Sequence, residues 1–286
     1  MSVDNITDVY PYINVNGRLQ EKESLSFPFL DYGFLYGYGA FDTILINQGH
    51  PVLLENHFKR LQRTSILLDI PCPYNFQTLE TNIQELITKN NINHATLNIY
   101  LTPGNRPSTS TKTDFDTPLL LMLLRPVDTK NLHKPISIAV REESIQRIKM
   151  DRLKTMSYMK NIFEKNLHKQ FDDVLLYNHN KEISETPTSN VFFIKDDILI
   201  TPQNEYALSG ITQNFIETHA DKLGITCMRQ PIHLTDLNKF DEIFLTNSLK
   251  GICFVKQVHD FPTLRSRDMT SKLYQNLVKL LNLRFN

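Results

Sequence analysis

An excess of charge of either sign is missing from this sequence: 31 Lys and Arg offset 31 Asp and Glu over 286 residues. No block or stripe of basic residues stands out, which argues against a nucleic-acid surface and leaves a small molecule as the expected partner. Cysteine is scarce. Cys72, Cys227 and Cys253 are widely separated, show no C-x-x-C spacing and cannot all pair with one another, so they read as reduced thiols of a cytoplasmic protein. No run approaches the roughly 18 apolar residues of a membrane span. The opening MSVDNITDVYPYINVNG carries acids and no apolar core of signal-peptide length, so no membrane partner is expected. The nine histidines include no H-x-x-x-H or H-E-x-x-H pair, which leaves a dedicated metal site without support. Glycine is sparse too, yet three of the nine glycines, Gly33, Gly37 and Gly39, crowd into DYGFLYGYGAFDT at 31–43, where they permit close backbone approach. Neither G-x-x-x-x-G-K nor a dinucleotide fingerprint accompanies them.

The length favours two domains over one, and 41% hydrophobic with 22% charged residues is ordinary for a globular chain. YINVNG at 12–17 predicts a strand entering an Asn-Gly hairpin. AFDTILIN at 40–47 and PVLL at 51–54 predict a strand, turn and strand around Gln48-Gly49. In ENHFKRLQRTSILLDI, Phe58, Leu61, Ile66 and Leu67 fall on one helical face, and Pro71 and Pro73 stop the helix. A second helix is expected around FQTLETNIQELITKNN, then strands at 95–102 and 118–124 about a Thr/Ser-rich loop. RPVDTKNLHKP at 125–135 has two prolines and no apolar periodicity, and is the candidate linker. Beyond it come strands at 136–140 and 173–178, two strands at 190–202 joined by Asp196-Asp197, a helix beginning near Gly210, and a strand, turn and strand at 241–255. Strands outnumber helices and many are joined as hairpins. The expected class is α+β or mixed α/β, with a smaller α+β domain at 1–124 and a larger β-rich domain at 136–286.

LKTMSYMKN at 153–161 raises a question of its own. From Ser157 onward Met159, Ile162, Phe163 and Leu167 recur at helical spacing, with Lys160, Glu164, Lys165 and His168 as the solvated face. Lys154 precedes that helix, in a connection where a side chain can point into a cleft. Taken alone it reads as a surface charge. A lysine used covalently with pyridoxal phosphate needs three further things: an anion site for the phosphate, a carboxylate for the ring nitrogen, and room for the lysine to leave and return as a base. SGITQNFIE at 209–217 offers helix-terminal N–H groups and a hydroxyl. Arg60, on the helix bearing HFKRLQ, is a surface charge or a phosphate ligand. Glu185 in EISETPTSNVFF sits between a turn and a strand, and LTNSLKG at 245–251 puts hydroxyls at a strand end.

Read together and in order, DYGFLYGYGAFDT, HFKRL, LKTMSYM, ETPTSNVFF, Thr201-Pro202, SGIT and FLTNSLKG resemble the class IV aminotransferase family, the fold type IV pyridoxal-phosphate enzymes, from about residue 12 to about 258. The resemblance implies that family's two-domain fold, pyridoxal 5'-phosphate as cofactor, a small-molecule amino substrate and a homodimer. It makes Lys154 the Schiff-base lysine and proton carrier and Glu185 the partner of the pyridine nitrogen. Arg60, Ile211 and Thr212 with its hydroxyl, and Ser248 would hold the phosphate, and Tyr158 would lie against the ring hydroxyl. Tyr36, Thr43, Arg106 and Leu249 would face the substrate. The chain departs from many members at Tyr32, Ser157 and Gln213.

The family includes 4-amino-4-deoxychorismate lyase and the branched-chain and D-amino-acid aminotransferases. Branched-chain enzymes show an arginine in the strand matching NIYLT, where residues 98–102 have none, and the Arg-x-His of well-known D-amino-acid enzymes is met here by Arg106 without the histidine. Thr43 in FDT and the TNSLKG segment are similar to the lyase. The expectation is therefore the lyase, which eliminates pyruvate to give 4-aminobenzoate for folate biosynthesis. A D-amino-acid or branched-chain aminotransferase stands close behind it, and a non-catalytic pyridoxal-phosphate-binding homologue comes last.

Overall fold

A computed structural model of the chain describes residues 9–26, 28–105, 117–129, 132, 134–261 and 268–284. Two compact units emerge: Met1–Thr129 with Lys154–Tyr158, and Lys130–Leu153 with Met159–Asn286. The boundary at Thr129 falls inside the stretch 125–135, but the segment carrying Lys154 groups with the first unit and not with residues 136–286, where it was expected. Among the described residues no helix is long and apolar enough to cross a membrane, and no group of three His, Cys, Asp or Glu side chains is placed to hold a metal ion.

In the first unit Tyr12–Val15 (β1) and Arg18–Glu21 (β2) pair antiparallel about Asn16-Gly17, both at positive φ as a tight hairpin demands. The glycine-rich stretch holds a short helix, Tyr32–Tyr36 (α1), which the sequence did not suggest. Asp31 caps it, its Oδ1 accepting from Gly33 N at 2.6 Å, and Gly37 ends it at φ 65°. Ala40–Asn47 (β3) turns into His50–Pro51 (β4), and Leu54, expected in a strand, opens the helix Leu54–Leu67 (α2). Phe76–Asn90 (α3), His94–Thr102 (β5) and Leu119–Arg125 (β6) complete a six-stranded antiparallel sheet of order β2-β1-β6-β5-β3-β4. Its apolar face packs Ile44, Leu97, Ile99 and Met122 against Phe58 and Leu61 of α2 and Leu79, Ile83 and Leu86 of α3. Ile66 and Leu67 do not share that face: both are exposed, and Leu68 turns inward in their place as the helix ends.

The second unit contains Ile136–Glu142 (β7), Met159–Leu167 (α4), Asp173–Tyr177 (β8), Asn190–Lys195 (β9), Ile198–Pro202 (β10), Ile211–Ala220 (α5), Cys227–Gln230 (β11), Glu242–Asn247 (β12), Gly251–Val258 (β13) and Asp268–Leu280 (α6). Its seven-stranded sheet has the order β11-β10-β9-β12-β13-β7-β8, with β10–β11, β13–β7 and β7–β8 parallel and the other pairs antiparallel. One face carries Phe192, Leu199, Phe244 and Ile252 against Ile216 of α5 and Leu273 and Leu277 of α6, and the other carries Val191, Phe193, Ile200, Ile243 and Leu245. This alternation is that of a sheet covered on both sides.

Helix α4 reverses the expected orientation. Met159, Ile162, Phe163 and Leu167 are exposed, whereas Glu164 is wholly buried and Lys160 is largely covered. The polar side turns inward because it has partners there: Glu164 Oε1 accepts from Ser144 N at 2.6 Å, Lys160 Nζ reaches Asp151 Oδ2 at 3.3 Å, and Asn161 Nδ2 donates to Pro187 O at 2.6 Å. A buried carboxylate with a backbone donor satisfies its own burial cost.

Candidate active site

Lys154 is held by backbone hydrogen bonds and not by a helix. Strand β4 pairs only with Ile46 and Asn47, so the first residues of β3 have an edge that 154–156 occupies. Phe41 N donates to Lys154 O at 3.0 Å, Met156 N donates to Gly39 O at 2.8 Å, and Ala40 bridges Thr155. The glycines permit this approach: a Cβ on Gly39 would lie 2.8 Å from Leu101 O and 2.7 Å from Met156 Sδ, and one on Gly37 would lie 3.3 Å from Ser157 Cα. Lys154 Nζ then sits 4.6 Å from the Phe41 ring centroid and 4.9 Å from that of Tyr158, and these two rings meet edge to face at 5.3 Å. Two aromatic rings thus flank the amine at cation–π distance. Thr43 shares the Phe41 side of β3 by strand alternation, and its Oγ1 accepts from Asn98 Nδ2 at 3.1 Å.

On the other side of β3 lies a buried cluster that the sequence reading passed over. Asp42 is 1% exposed and takes Arg60 Nε on Oδ2 at 2.9 Å and Arg60 Nη2 on Oδ1 at 2.6 Å. His57 Nδ1 stands 2.8 Å from Oδ1, and Thr43 N donates to the same oxygen at 2.7 Å. Burial pushes the Asp42 carboxyl up, but the Arg60 and His57 charges and hydrogen bonds outweigh it and hold the group far below the usual carboxylate range. Arg60 is thus no loose surface charge. Its fork is fixed by Asp42 through Nε and Nη2, and Nη1 has no partner among the described residues. Asp42 and His57 were both in view, inside FDT and HFKRL; a buried partner for Arg60 was the missing inference.

In the second unit Glu185 is buried and is gripped at both oxygens. Arg147 Nη1 donates to Oε1, as does Leu208 N at 3.2 Å, and Asn190 Nδ2 donates to Oε2 at 2.9 Å. Arg147 also donates from Nε to Glu143 Oε1 at 2.7 Å. Burial disfavours the Arg147 charge, but Glu185 and Glu143 more than compensate and raise the guanidinium above its ordinary value. Nothing in the pattern around Arg147, an irregular segment after β7, singled it out. Ile211 and Thr212 open α5, and Gly210, its N-cap, supplies no side-chain acceptor to the first amides. Both residues are buried, and a Cβ on Gly210 would run into Asn190 Oδ1. Ser248 follows β12 in a turn organised by Asn247, whose Oδ1 accepts from Leu249 N at 3.1 Å and Lys250 N at 2.8 Å.

Tyr36, the last residue of α1, is 69% exposed with its ring edge-on to Tyr32 at 5.0 Å. Leu249 is half-buried in the 248–250 turn, and Arg106 lies outside the described residues. A cavity of about 430 Å3 in the second unit is lined by Lys149, Arg152, Thr201, Gln213 and Arg229, and also by Ser184 and Asn190 of the Glu185 surroundings. Among the described residues, none of the expected site residues lines it.

A family model described as amino-transferase class IV matches residues 39–258. Among curated proteins, the chain is 29% identical over 241 residues to a D-alanine aminotransferase of Listeria innocua, covering 82% of this chain and 83% of that one. It is 29% identical over 253 residues to the aminodeoxychorismate lyase of Bacillus subtilis, covering 84% of each. Among solved structures, a Legionella pneumophila protein provisionally described as 4-amino-4-deoxychorismate lyase superposes with a TM-score of 0.82 at 25% identity, over 90% of this chain and 96% of that one.

Proposed function

This chain belongs to the class IV aminotransferases, a family of pyridoxal-phosphate enzymes acting on small amino substrates, and from that premise we propose that it is a 4-amino-4-deoxychorismate lyase, releasing pyruvate and leaving 4-aminobenzoate for folate biosynthesis. The observation that carries this reading is Thr43, whose hydroxyl is oriented by Asn98 on the face of β3 that also bears Phe41 beneath the Lys154 amine. The second reading is an aminotransferase. Similarity to the Listeria enzyme favours D-alanine over a branched-chain substrate, and β5 carries no arginine.

The residues suit the cofactor. A ring nitrogen needs a buried carboxylate held ionised, and Glu185 is buried against Arg147. A phosphate needs a fixed cation and unclaimed amides; Arg60 keeps Nη1 while Asp42 fixes the rest of its fork, and Gly210 leaves the α5 terminus without a side-chain cap. We assign Arg60, Ile211, Thr212 and Ser248 to the phosphate, Glu185 to the ring nitrogen and Tyr158 to the ring hydroxyl. Pyridoxal phosphate, when bound, supplies an electron-withdrawing ring that stabilises negative charge at the substrate α-carbon. Lys154 takes the α-proton, and the Phe41 and Tyr158 rings stabilise the ammonium so formed. That proton is then at hand for the departing three-carbon group. Thr43, with Tyr36, Arg106 and Leu249, faces the substrate in this reading.

The same reading makes the enzyme a cytoplasmic homodimer. Its three unpaired cysteines support the compartment, and the exposed apolar side of α4, from Met159 to Leu167, supports a covered interface. The test is pyruvate and 4-aminobenzoate formation from 4-amino-4-deoxychorismate without any keto-acid acceptor, for the wild type and Lys154→Ala. Equal amounts of both products from the wild type alone support the lyase. Their absence, together with pyruvate from D-alanine only when 2-oxoglutarate is added, would transfer the assignment to the aminotransferase.

A further inference from the structure

We propose that Arg147 is a positioning residue for this chemistry: its guanidinium keeps the Glu185 carboxylate ionised and in one orientation, so that Glu185 holds a proton on the cofactor's ring nitrogen. The inference rests on the assignment of Glu185 above.

The geometry is that of a clamp. Arg147 and Glu185 are 8% and 5% exposed. One arm of the guanidinium, Nη1, bonds Glu185 Oε1, and Nε bonds Glu143 Oε1 at 2.7 Å. Glu143 is fixed in turn by Ser184 Oγ, which donates to the same oxygen at 2.6 Å. The far oxygen of Glu185 is fixed by Asn190 Nδ2, whose amide nitrogen also reaches Leu208 O at 2.8 Å. Both carboxylates and their shared cation are therefore tied to the body of the second unit. The small cavity beside Arg147 is lined by Asp151, Lys160 and Glu164, of which Asp151 and Lys160 pair with each other at 3.3 Å and Glu164 accepts from Ser144 N.

Chemistry supplies the reason for an arginine here. A buried carboxylate drifts toward its neutral form. As an acid it would offer the ring nitrogen a hydrogen bond but no negative charge, and the ring would lose its proton and much of its electron-withdrawing power. A guanidinium stays charged at every working pH and spans two acceptors with a planar fork, which a lysine point charge cannot do. Arg147 thus biases Glu185 toward the form that the ring nitrogen requires. It acts through Glu185 and does not itself touch the cofactor in this assignment.

The experiment reads that proton directly. Wild type, Arg147→Met, Glu143→Gln and Glu185→Gln are loaded with pyridoxal phosphate labelled with 15N in the ring, occupancy is measured by absorbance, and the 15N chemical shift is recorded at one neutral pH. The wild type and E143Q are expected to show a protonated ring nitrogen, and R147M and E185Q an unprotonated one, with R147M retaining cofactor roughly 10–100-fold more weakly. E143Q removes the second carboxylate's charge while its amide oxygen can still accept from Arg147 Nε and Ser184 Oγ, so it shows whether the ring proton depends on the Arg147 cation itself. If R147M fails to fold by circular dichroism, Arg147→Gln and Arg147→Lys replace it, with the proton expected to be lost in the first and kept in the second. A protonated ring in R147M or R147Q beside an unprotonated one in E185Q overturns the role of Arg147 alone. A ring that stays protonated in E185Q, or is unprotonated in the wild type, overturns the Glu185 assignment and this inference with it.

Discussion

Replacing Asp42 by Asn exchanges one carboxylate oxygen for an amide nitrogen and tests how Arg60 is held. Oδ1 of Asp42 accepts from Arg60 Nη2, His57 Nδ1 and Thr43 N, and Oδ2 accepts from Arg60 Nε at 2.9 Å. An asparagine oxygen can keep the first set, but its amide then points a donor at the Arg60 Nε donor. One charge-assisted hydrogen bond disappears, at about 1.5–3 kcal/mol, and the guanidinium loses its counter-charge in a site where only 13% of its side chain reaches solvent. Breaking a buried pair from one side typically costs about 3–5 kcal/mol. The solvent-accessible edge of Arg60 places this case near the lower end, about 3 kcal/mol. The sign with pH follows from the depressed Asp42 value: its contribution is complete above the unfolded carboxylate value, near about 3.9, and is lost as pH falls toward the folded one. Urea denaturation of both proteins from pH 8 to pH 3 is the assay. The D42N deficit is expected to be constant down to about pH 5 and to narrow below about pH 4, and cofactor binding should weaken about tenfold as Arg60 loosens. A deficit under about 1 kcal/mol at neutral pH, or one that widens in acid, would show that the pair is not the anchor described here.

Gly210→Ala drives a methyl into Asn190 Oδ1 and should cost about 1–3 kcal/mol by thermal or urea unfolding, with weaker cofactor uptake from the displaced α5 terminus. Thr43→Val removes the hydroxyl that Asn98 orients; product formation from 4-amino-4-deoxychorismate should fall by about 100-fold while the cofactor's absorbance is retained. Glu164→Leu leaves Ser144 N without its 2.6 Å acceptor and should lower stability by about 1–3 kcal/mol, although Glu164 sits on what looks like the polar face of an amphipathic helix. Phe163→Glu charges the exposed side of α4, and sedimentation should show monomers if that side is the homodimer interface, at unchanged monomer stability.

Periodicity served the sequence reading well where an element buries one face against a sheet, and failed where an element's partners are polar. The sheet strands were legible because LLLMLLR and NVFFIK alternate or run apolar between turns, and the Asn16-Gly17 and Asp196-Asp197 turns adopt the positive φ angles that those residues tolerate. Helix α4 was legible as a helix and misread in orientation, because hydrophobic spacing says which side is apolar and not which side is buried. Helix α1 was missed because three glycines in seven residues mask a five-residue helix whose stability comes from the Asp31 cap. Of the residues assigned in the proposed function, Lys154, Glu185 and Arg60 entered the sequence reading as members of an ordered series of motifs. Asp42 and Arg147 were not, since a partner brought in over 18 or 38 residues of chain leaves no local signature.

The segment 154–158 shows what that difference amounts to physically. It lies between a 3-10 turn at Lys149–Arg152 and α4, too short and too irregular for any propensity to decide its path. Its path is decided by β3, whose first residues have backbone groups that would otherwise lack partners, and by two glycines that let a second backbone come within hydrogen-bonding distance. The same pairing aims consecutive side chains to opposite sides, so fixing the Lys154 carbonyl on Phe41 N also fixes the direction of the lysine stem. A lysine on a helix would be placed by the helix's packing and would move with it. One hydrogen-bonded to a β-strand is placed by the sheet, while four rotatable side-chain bonds give its amine reach. That combination of a fixed base and a long reach is what a residue needs if it is to release one bonding partner, collect a proton and return.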